Sequence, residues 1–552
     1  MSKIITRSPG SRQRGAFTVG LVAIALTLSA CGNGAQAQNP TTGPESAAAF
    51  GEPVEGGHLV FADVVPAPRW QTQSATDYRQ ANVLNSVLDR LTYYDAETET
   101  LVPWIATDWS PNDDLTEWTF TIREGVTFSD GTPLDAEAVA RNLQVFGEGI
   151  TDAQIQPNQD YKNFVSAEVT GDDQVTVTLS EPNANFVRAT SSVTSGLVAP
   201  SVFELDNAGQ NDIAQVIGSG PFTFESQVPD QEIVFTARED YAWAPETAEN
   251  QGAPYLDGFT LRYLPEVGHR AGSVSTGQAD LVRGIQPVDE ATLEAAGHSV
   301  YAAPGTDLSS NHMAVRFENE EVSDARVRQA LQIGTNREAI KQTVLSDSYQ
   351  LSGSILNHGA PGFVDLSEDF AYDPERAKEL LDEAGWTVGS DGIREKDGQR
   401  LELTVSASSN SVVIKPVFDL MVQQWAELGV KLTSRAGDNT FFLQAQTDET
   451  VPLYGTRAFS YGGLGPLYGS GGTLTLADDP EFDELVDRAN AEADEDARNE
   501  ILAEQQDYIV NEQAHAIVLW DEVQVYGAHS GTHVEFTTGA APIFQGAWKE
   551  GE

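Results

Sequence analysis

Residues 120–139 read FTIREGVTFSDGTPLDAEAV and contain three local structural signals in close succession. A β-prone run ends at Ile122, which predicts the end of a strand at that residue. Ser129-Asp130-Gly131 is typical of a tight turn, because Asp and Gly both suit turn backbones. Asp135 is a preferred N-cap residue, so a helix with an inward apolar face is expected to begin directly after it. The stretch therefore predicts a strand, a turn and a helix.

The same alternation of strand and helix signals continues outward from this stretch, from residue 56 to the end of the chain. Alternating elements of this kind favour an α/β protein. The run Ala516–Trp520 is apolar throughout, as expected of a strand that is buried on both faces. Other β-prone runs predict strands at residues 58–61, 117–122, 175–179 and 232–236.

Two predicted helices begin with an Asp-Pro pair. Asp373 is a good N-cap, Pro374 fits the first turn, and Gly385 provides a C-terminal stop. Between these ends, apolar residues recur at the spacing of one helix face, at Ala377, Leu380, Leu381 and Ala384. Asp479-Pro480 begins the second helix, which shows the same spacing at Phe482, Leu485, Val486 and Ala489.

Two shorter motifs predict a hairpin and a helix start in the same part of the chain. Asp397-Gly398 is a strong two-residue turn signal, and alternating apolar residues follow it at Leu401, Leu403 and Val405. Residues 335–338 read TNRE and have the spacing of a capping box, with Thr335 as the N-cap of the helix that follows.

Residues 1–30 are predicted to be a lipoprotein signal peptide. They contain four basic residues and no acidic one, and residues 16–30 form a largely apolar run of fifteen residues. Such a run is too short to span a bilayer comfortably but suits the hydrophobic region of a secretory signal. It ends in Leu28-Ser29-Ala30-Cys31, which resembles a bacterial lipobox. The resemblance implies that Cys31 is lipidated and becomes the new N-terminus.

Cys31 is the single cysteine of the chain, so an intramolecular disulfide and a cysteine-ligated metal cluster are both excluded. Residues 31–55 are small and polar and are interrupted by Pro, which predicts a flexible tether. No later run approaches the length of a membrane span. We therefore expect an extracytoplasmic folded body, lipid-anchored at the outer face of the cytoplasmic membrane or located in the periplasm.

The chain is strongly acidic, with 83 acidic against 32 basic residues and a net charge of −51. A surface of this kind repels nucleic acids and anionic lipid headgroups, so we expect no nucleic-acid partner. The charge can reflect solubility in a salt-tolerant organism, or it can attract cationic ligands. Composition alone allows both interpretations.

The sequence contains no recognised catalytic or cofactor-binding motif. The nucleophile elbow G-x-S-x-G, the P-loop and the zinc motif H-E-x-x-H are all absent. Tyr468 stands where the last glycine of a dinucleotide-binding fingerprint would follow the glycines at 462, 463 and 465. His529 and His533 have an i, i+4 spacing but flank Ser-Gly-Thr, which is a poor helix. We therefore expect no enzymatic activity, no cofactor and no metal site.

Residues 120–139 resemble the signature of the family 5 extracellular solute-binding proteins, the dipeptide, oligopeptide and nickel receptors of ABC importers. Seven further segments match the family in the expected order, at residues 56–59, 101–106, 218–222, 240–241, 277–280, 324–331 and 383–385. The resemblance therefore extends over most of the chain. It implies a monomer that captures a peptide or another small polar organic solute and delivers it to a membrane permease and its ATPase.

The resemblance also implies a class II periplasmic-binding-protein fold, with two lobes around a ligand cleft. The first lobe would contain residues 56–300 and be completed by residues 520–552, with residues 81–214 as an extra subdomain. The second lobe would contain residues 301–519. The chain would cross between the lobes near 300–312 and near 519–522, and these crossings would form the hinge.

One segment departs from the family pattern. Peptide receptors of this family hold the ammonium group of the ligand with an aspartate in a second-lobe loop, and the matching residues 459–472 contain no acidic residue. A bound ammonium without a paired carboxylate is costly to desolvate, so the peptide clamp of the family is missing at this loop. Arg457 precedes the loop and can either bind a ligand carboxylate with its bidentate fork or form a surface ion pair.

The candidate cleft residues come from both lobes. In the second-lobe loop they are Tyr461, Gly462, Gly463 and Tyr468, since tyrosines offer area and a hydroxyl and glycines permit close backbone approach. The first-lobe residues expected to face them are Arg69, Trp70, Asp77 and Tyr78. Alternative functions are a ligand-sensing receptor that is not coupled to uptake, binding of a nickel complex, and an exported hydrolase.

Overall fold

A computed structural model describes residues 51–75, 78–95, 98, 100–409, 411–458 and 463–550. The predicted signal peptide, Cys31 and most of the predicted tether lie outside the described residues, as do Asp77, Tyr461 and Gly462. The chain divides into two units, Met1–Gly51 and Glu52–Glu552, and every element of secondary structure described here belongs to the second. None of the helices among the described residues is both long enough and apolar enough to span a membrane.

The strands of the described residues are, in chain order, β1 His58–Asp63, β2 Thr92–Asp95, β3 Thr100–Pro103, β4 Ala106–Pro111, β5 Glu117–Ile122, β6 Phe164–Val169, β7 Gln174–Leu179, β8 Phe222–Val228, β9 Glu232–Ala237, β10 Gly258–Tyr263, β11 Leu281–Arg283, β12 Ser299–Pro304, β13 Asn311–Val315, β14 Thr387–Val388, β15 Arg394–Lys396, β16 Gln399–Arg400, β17 Glu402–Ser408, β18 Lys431–Gly437, β19 Leu453–Thr456, β20 Ala516–Trp520, β21 Val523–Ala528, β22 Thr532–Phe536 and β23 Pro542–Lys549.

The α-helices are α1 Tyr78–Val87, α2 Ala136–Glu148, α3 Phe186–Ala189, α4 Asn207–Gln210, α5 Val267–Ser275, α6 Pro287–Ala295, α7 Ala325–Ile333, α8 Arg337–Thr343, α9 Pro374–Glu383, α10 Ile414–Glu427, α11 Asn439–Gln446, α12 Gly465–Tyr468, α13 Pro480–Ala491 and α14 Glu495–Asp507. Short 3-10 turns lie at Thr72–Ser74, Gln159–Tyr161, Val193–Ser195, Pro200–Glu204, Ile213–Gln215 and Glu320–Val322, and a π-helical turn at Tyr508–Glu512.

The first lobe is built on a seven-stranded sheet with the order β12-β21-β11-β1-β10-β9-β8. The central strand β1 runs parallel to both β10 and β11, while the outer pairs are antiparallel. The C-terminal hairpin β22-β23 contributes to this core, because Phe544 stacks on Phe259 with ring centroids 4.3 Å apart. The last residues of the chain therefore pack against a sheet whose first strand begins at residue 58.

The second lobe is built on a five-stranded sheet with the order β18-β17-β19-β13-β20. Strand β17 runs parallel to β18 and β19, which is the expected pairing when α10 and α11 connect the strands. Every residue of β20 is buried, which confirms the prediction made from its continuous apolar run. Its partner β13 is buried along its whole length as well.

Residues 120–139 lie in a separate four-stranded sheet with the order β4-β5-β7-β6, against which α2 packs. Strand β5 ends at Ile122 and α2 begins after Asp135, whose carboxylate accepts a hydrogen bond from the backbone N–H of Ala138 at 3.0 Å. Gly131 has a φ of 83°, which a side chain would strain. The predicted strand, turn and helix are thus confirmed, and they form an extra layer on the first lobe.

The predicted helix and hairpin signals of the second lobe are confirmed, with one correction. Helices α9 and α13 begin after their Asp N-caps, and the turn at Asp397-Gly398 has φ of 53° and 86°, as a two-residue hairpin requires. The capping box with Thr335 as N-cap is wrong by one residue. Asn336 caps α8 by accepting from the backbone N–H of Ala339, while the hydroxyl of Thr335 donates to the carbonyl of Leu331.

The chain passes between the two large sheets twice, at residues 305–310 and at residues 521 and 522. Residues 301–304 still belong to the first sheet through β12, and Trp520 ends the last strand of the second sheet. The first sheet thus continues to Pro304 and the second to Trp520, and the two crossings lie within residues 300–312 and 519–522. Both crossings are short and lie side by side, because the side chain of Asn357 bonds to both of them.

Candidate ligand-binding site

A polar cluster surrounds the carboxylate of Glu522 at the second crossing, and we call it the hinge cluster. The side chain of Glu522 is only 4% exposed. Its Oε1 accepts hydrogen bonds from the hydroxyl of Tyr78 at 2.8 Å and from the amide of Gln524 at 2.6 Å. Its Oε2 accepts from the amide of Asn311 at 2.5 Å, and the Nε of Arg457 lies 3.1 Å from Oε1.

The hinge cluster joins the two lobes because its members lie on elements of both. Tyr78 begins α1 and Gln524 lies on β21, both in the first lobe. Asn311 begins β13 and Arg457 follows β19, both in the second lobe. Glu522 therefore accepts hydrogen bonds from both lobes at the point where the chain crosses between them.

The ring of Tyr78 forms one wall of the hinge cluster. Burial and the nearby charge of Glu522 raise the pKa of the Tyr78 phenol well above its usual range, so the hydroxyl stays protonated and donates. The guanidinium carbon of Arg457 lies 5.3 Å from the centroid of the Tyr78 ring, and that of Arg283 lies 5.6 Å from it. Both guanidinium groups are thus placed for a cation–π interaction with the Tyr78 ring, whose hydroxyl donates to the carboxylate of Glu522.

A cavity lies beside the hinge cluster, between the extra subdomain, the first crossing and the second lobe. It encloses about 790 Å³ of space that no protein atom fills, part of it open to solvent. Gly305 packs against the cluster, since a Cβ there would lie 3.0 Å from the Cγ of Glu522 and 3.2 Å from the Tyr78 hydroxyl, and the next residue, Thr306, lines the cavity. The lining residues are Asn185 and Arg188 of the subdomain, Thr306 and Asp307 of the crossing, and Leu356, Ala360, Pro361, Gly463, Leu464, Gly465, Val486, Ala489, Asn490, Arg498, Leu502 and Gln505 of the second lobe.

One wall of the cavity contains a buried ion pair. The guanidinium of Arg188 pairs with the carboxylate of Asp307, and their side chains are 10% and 5% exposed. The hydroxyl of Thr538 also donates to Asp307, and the Arg188 guanidinium carbon lies 3.7 Å from the centroid of the Tyr94 ring. The subdomain, the crossing and the C-terminal hairpin meet at this pair.

The subdomain and the second lobe also touch directly beside the cavity. The backbone N–H of Ala184 donates to the carbonyl of Asn490 at 2.9 Å, and Asn490 lines the cavity. A movement of the second lobe away from the subdomain would break this hydrogen bond. The structure therefore shows the lobes in contact around the cavity.

The structure brings some of the predicted site residues together and separates others. Arg457 and Tyr78 meet in the hinge cluster, and Gly463, with a φ of 80°, lines the cavity. Trp70 is buried in the first-lobe core with Tyr78, whereas Arg69 is exposed. These placements give Trp70 a packing role and leave Arg69 outside both the cluster and the cavity.

Tyr468 lies in the core of the second lobe. Its side chain has no exposed surface, and its hydroxyl lies 2.7 Å from the Nε2 of His312. The Nδ1 of His312 lies 2.7 Å from the carbonyl of Ser310, so this nitrogen is the ring donor and Nε2 accepts from the Tyr468 hydroxyl. Burial lowers the pKa of His312 to about 4, so the ring is neutral. In this conformation Tyr468 has no surface to offer a ligand.

Sequence patterns did not reveal Glu522, Asn311, Arg188 and Asp307 as site residues. A signal exists for some of them. Asp521-Glu522 is an acidic pair that directly follows a fully apolar strand, and Asp307 lies within the predicted first crossing. Arg188 is a cation within the apolar run Phe186–Ala189. A charge in an apolar context at a predicted hinge is therefore the pattern to look for.

The spacing of His529 and His533 does not place them on one helix face. His533 lies on β22, and its ring stacks on Trp548 with centroids 3.9 Å apart, while His529 lies beside His298. Among the described residues, no group of three or more His, Cys, Asp or Glu side chains is arranged to hold a metal ion.

Two lobes joined by two crossings around a cavity define the class of bacterial solute-binding proteins. The family model described as bacterial extracellular solute-binding proteins, family 5 Middle, matches residues 100–468. The chain therefore belongs to family 5 of the bacterial extracellular solute-binding proteins, which confirms the resemblance seen in residues 120–139. Members of this family are extracytoplasmic, non-enzymatic binding components of ABC transporters.

Individual relatives bind different solutes. The chain is 25% identical over 370 residues to the nickel-binding periplasmic protein of Escherichia coli strain K12, covering 66% of this chain and 68% of the relative. It is 26% identical over 487 residues to the di/tripeptide-binding protein 3 of Pseudomonas aeruginosa strain UCBPP-PA14, covering 80% and 85%.

The solved structure of the oligopeptide-binding protein AppA from Bacillus subtilis in complex with a nonapeptide shows the same fold. It superimposes with a TM-score of 0.77 at 19% sequence identity, covering 91% of this chain and all of AppA. This similarity confirms the predicted class of fold, two lobes with an extra subdomain on the first.

Proposed function

We propose that this chain is the lipid-anchored, solute-binding component of an ABC importer, which captures a peptide or another small polar organic solute between its lobes and delivers it to the permease. The supporting observation is the cavity, whose wall contains residues of the subdomain, the first crossing and the second lobe. A solute that touches both lobes favours their closed arrangement by its differential affinity for that arrangement.

Within this proposal, the residues of the hinge cluster and the cavity have separate roles. Gly463 presents backbone to the solute, and among the described residues no heavy atom lies within 4 Å of the position that a Cβ would take. Tyr461 and Gly462 precede it in the same loop and are proposed to contact the solute as well. Arg457 and Tyr78 hold Glu522 at the crossing, so we assign them to the control of lobe position as well as to the cleft.

The lining of the cavity suits an organic solute. Aliphatic side chains of the second lobe, among them Leu464, Val486 and Leu502, face amide and guanidinium groups across the same space. A wall that combines apolar surface with placed polar groups is typical of sites that orient a small organic molecule. Peptides, for whose binding several relatives are named, combine both kinds of surface.

The lipid anchor makes a direct prediction. Cys31→Ala is expected to abolish incorporation of a radiolabelled fatty acid and to move the protein from the membrane fraction to the soluble fraction, because the thiol is the acceptor of the lipid. A control variant in the tether, Asn39→Ala, should be labelled like the wild type. Undiminished labelling of Cys31→Ala would contradict the anchor.

The solute itself is to be identified by native mass spectrometry of the purified protein. The proposal expects a non-covalent adduct of a few hundred daltons that is lost on unfolding, as a solute held between closed lobes should be. The solute identified in this way is also the ligand for the small-angle X-ray scattering experiment that tests capture by lobe closure.

A further inference from the structure

We infer that the cavity recognises its solute through a carboxylate, held by Arg498 and Asn490, and that its described lining offers no partner for a solute ammonium. The inference rests on the proposed function, because it names the class of solute for the same cavity: small organic acids with an aliphatic portion and no free amino group. N-acylated amino acids and N-acylated short peptides have this chemistry.

The first argument is the balance of charge in the cavity. Its ionisable lining residues are Arg188, Arg498 and Asp307, in a chain whose net charge is −51. The Asp307 carboxylate already accepts from Arg188 and from Thr538. The lining therefore has one positive charge that no carboxylate of the lining compensates.

The uncompensated charge belongs to Arg498. This residue lies on α14, is partly exposed to the cavity, and uses one Nη to donate to the carbonyl of Glu492 at 3.0 Å. Within the described ranges, Arg498 forms no ion pair with a carboxylate. Its remaining N–H groups are thus donors for an anion, and a guanidinium matches the two oxygens of a carboxylate well.

Two amides complete the polar part of the cavity. Asn490 lines it, and its side chain forms no hydrogen bond with another described residue, so its NH₂ group is available as a second donor for the anion. Gln505 donates from Nε2 to the carbonyl of Leu485 at 3.0 Å. Its Oε1 is consequently the atom that can accept from an amide N–H of the solute.

Among the described residues of the cavity and the hinge cluster, an ammonium group would have no comparable partner. The second-lobe loop at 459–472 contains no acidic residue, and Asp307 is engaged by Arg188. Glu522 is not among the described lining residues and already accepts from Tyr78, Gln524 and Asn311. Removing an ammonium from water without a paired carboxylate is unfavourable, which selects against a free amino group.

Arg498 is therefore preferred over Arg457 as the carboxylate partner. The Nε of Arg457 lies 3.1 Å from Glu522, and the charge of Arg457 is compensated within the hinge cluster. The sequence alone offers Arg457 as the residue that could bind a ligand carboxylate, because Arg457 lies just before the second-lobe loop. The structure separates them by their partners.

The test is isothermal titration calorimetry of the purified protein with four probes: acetyl-Ala-Leu, its C-terminal amide, unblocked Ala-Leu, and Ala-Leu amide. Acetyl-Ala-Leu is expected to bind about 10-fold or more tightly than its amide, because the amide loses the charge-assisted hydrogen bonds. Acetyl-Ala-Leu should also bind more tightly than Ala-Leu, which brings an unpaired ammonium into the cavity.

Three variants assign the preference to the cavity. Arg498→Gln should reduce the affinity for acetyl-Ala-Leu to that of its amide, while Arg488→Gln, a matched change on α13 at an exposed arginine paired with Glu504, should leave it unchanged. Because Arg498 also binds the carbonyl of Glu492, Asn490→Asp is the second variant. It places a carboxylate in the cavity, breaks no side-chain hydrogen bond of the described structure, and should weaken the acids more than the amides.

Equal affinities for the acid and the amide would overturn the inference, as would an equal effect of Arg498→Gln and Arg488→Gln. Tighter binding of unblocked Ala-Leu than of acetyl-Ala-Leu would overturn it as well, because it would show a partner for the ammonium. If none of the four probes binds, this class of solute is wrong. The proposed function would still stand on the adduct found by native mass spectrometry.

Discussion

Glu522→Gln is expected to lower the free energy of unfolding by about 3 kcal/mol, as removal of one partner from a buried ion pair does. The variant keeps the shape of the side chain but replaces one acceptor oxygen by an NH₂ group. If the NH₂ group takes the place of Oε1, it faces the donors of Tyr78 and Gln524. If it takes the place of Oε2, it faces the amide donor of Asn311. Arg457 also loses its carboxylate partner.

Urea unfolding followed by tryptophan fluorescence measures this loss. The matched control is Glu504→Gln, an exposed glutamate paired with Arg488, which is expected to leave the free energy of unfolding within experimental error. A second arm combines Glu522→Gln with Arg457→Met. If the two residues interact as the structure shows, the double variant should be less destabilised than the sum of the two single variants. Strict additivity of the two changes in the free energy of unfolding would contradict an interaction between Glu522 and Arg457. A Glu522→Gln variant as stable as the wild type would contradict a stabilising role of the hinge cluster.

Asp307→Ala should have a comparable or larger effect, a loss of about 3–5 kcal/mol, because it leaves the guanidinium of Arg188 buried without its carboxylate. The hydroxyl of Thr538 loses its acceptor at the same time. Since the pair joins the subdomain, the crossing and the C-terminal hairpin, the variant should also weaken solute binding by loosening the cavity wall.

The pair offers a sharper comparison than the single variant. Arg188→Met combined with Asp307→Leu replaces both charges by apolar side chains, and it is expected to recover most of the lost stability. Asp419→Ala serves as the control, because Asp419 forms an exposed pair with Lys415 on α10 and should be silent. If Asp307→Ala and Asp419→Ala have the same small effect, the Arg188–Asp307 pair is not a structural element of the protein.

Much of the fold is predictable from local signals in the sequence. Asp135, Asp373 and Asp479 accept hydrogen bonds from the first turns of their helices because capping depends on neighbouring residues only. Asp397-Gly398 forms its hairpin for the same local reason. The capping box at Thr335 failed by one residue because Asn336 is itself a strong capping residue and lies next to it.

The site is predictable only in part, because its residues meet across long separations in sequence. Tyr78 and Glu522 are 444 residues apart, and Arg188 and Asp307 are 119 apart. Residue types alone placed Tyr468 among the cleft candidates, since a tyrosine in a glycine-rich loop suits a ligand. The structure shows instead that its hydroxyl is bonded to His312 in the core. Which tyrosine faces the cleft depends on packing, which spacing does not reveal.

The central claim is capture by closure, and small-angle X-ray scattering tests it most directly. The solute found by native mass spectrometry is removed by unfolding and refolding and then added back, with glycerol at the same concentration as the control. Binding should decrease the radius of gyration, because a solute in the cavity favours contact between subdomain and second lobe, as between Ala184 and Asn490. It should also stabilise the fold, by about 2.7 kcal/mol at a solute concentration 100 times Kd. Saturable binding of the solute with no decrease in the radius of gyration would contradict the account.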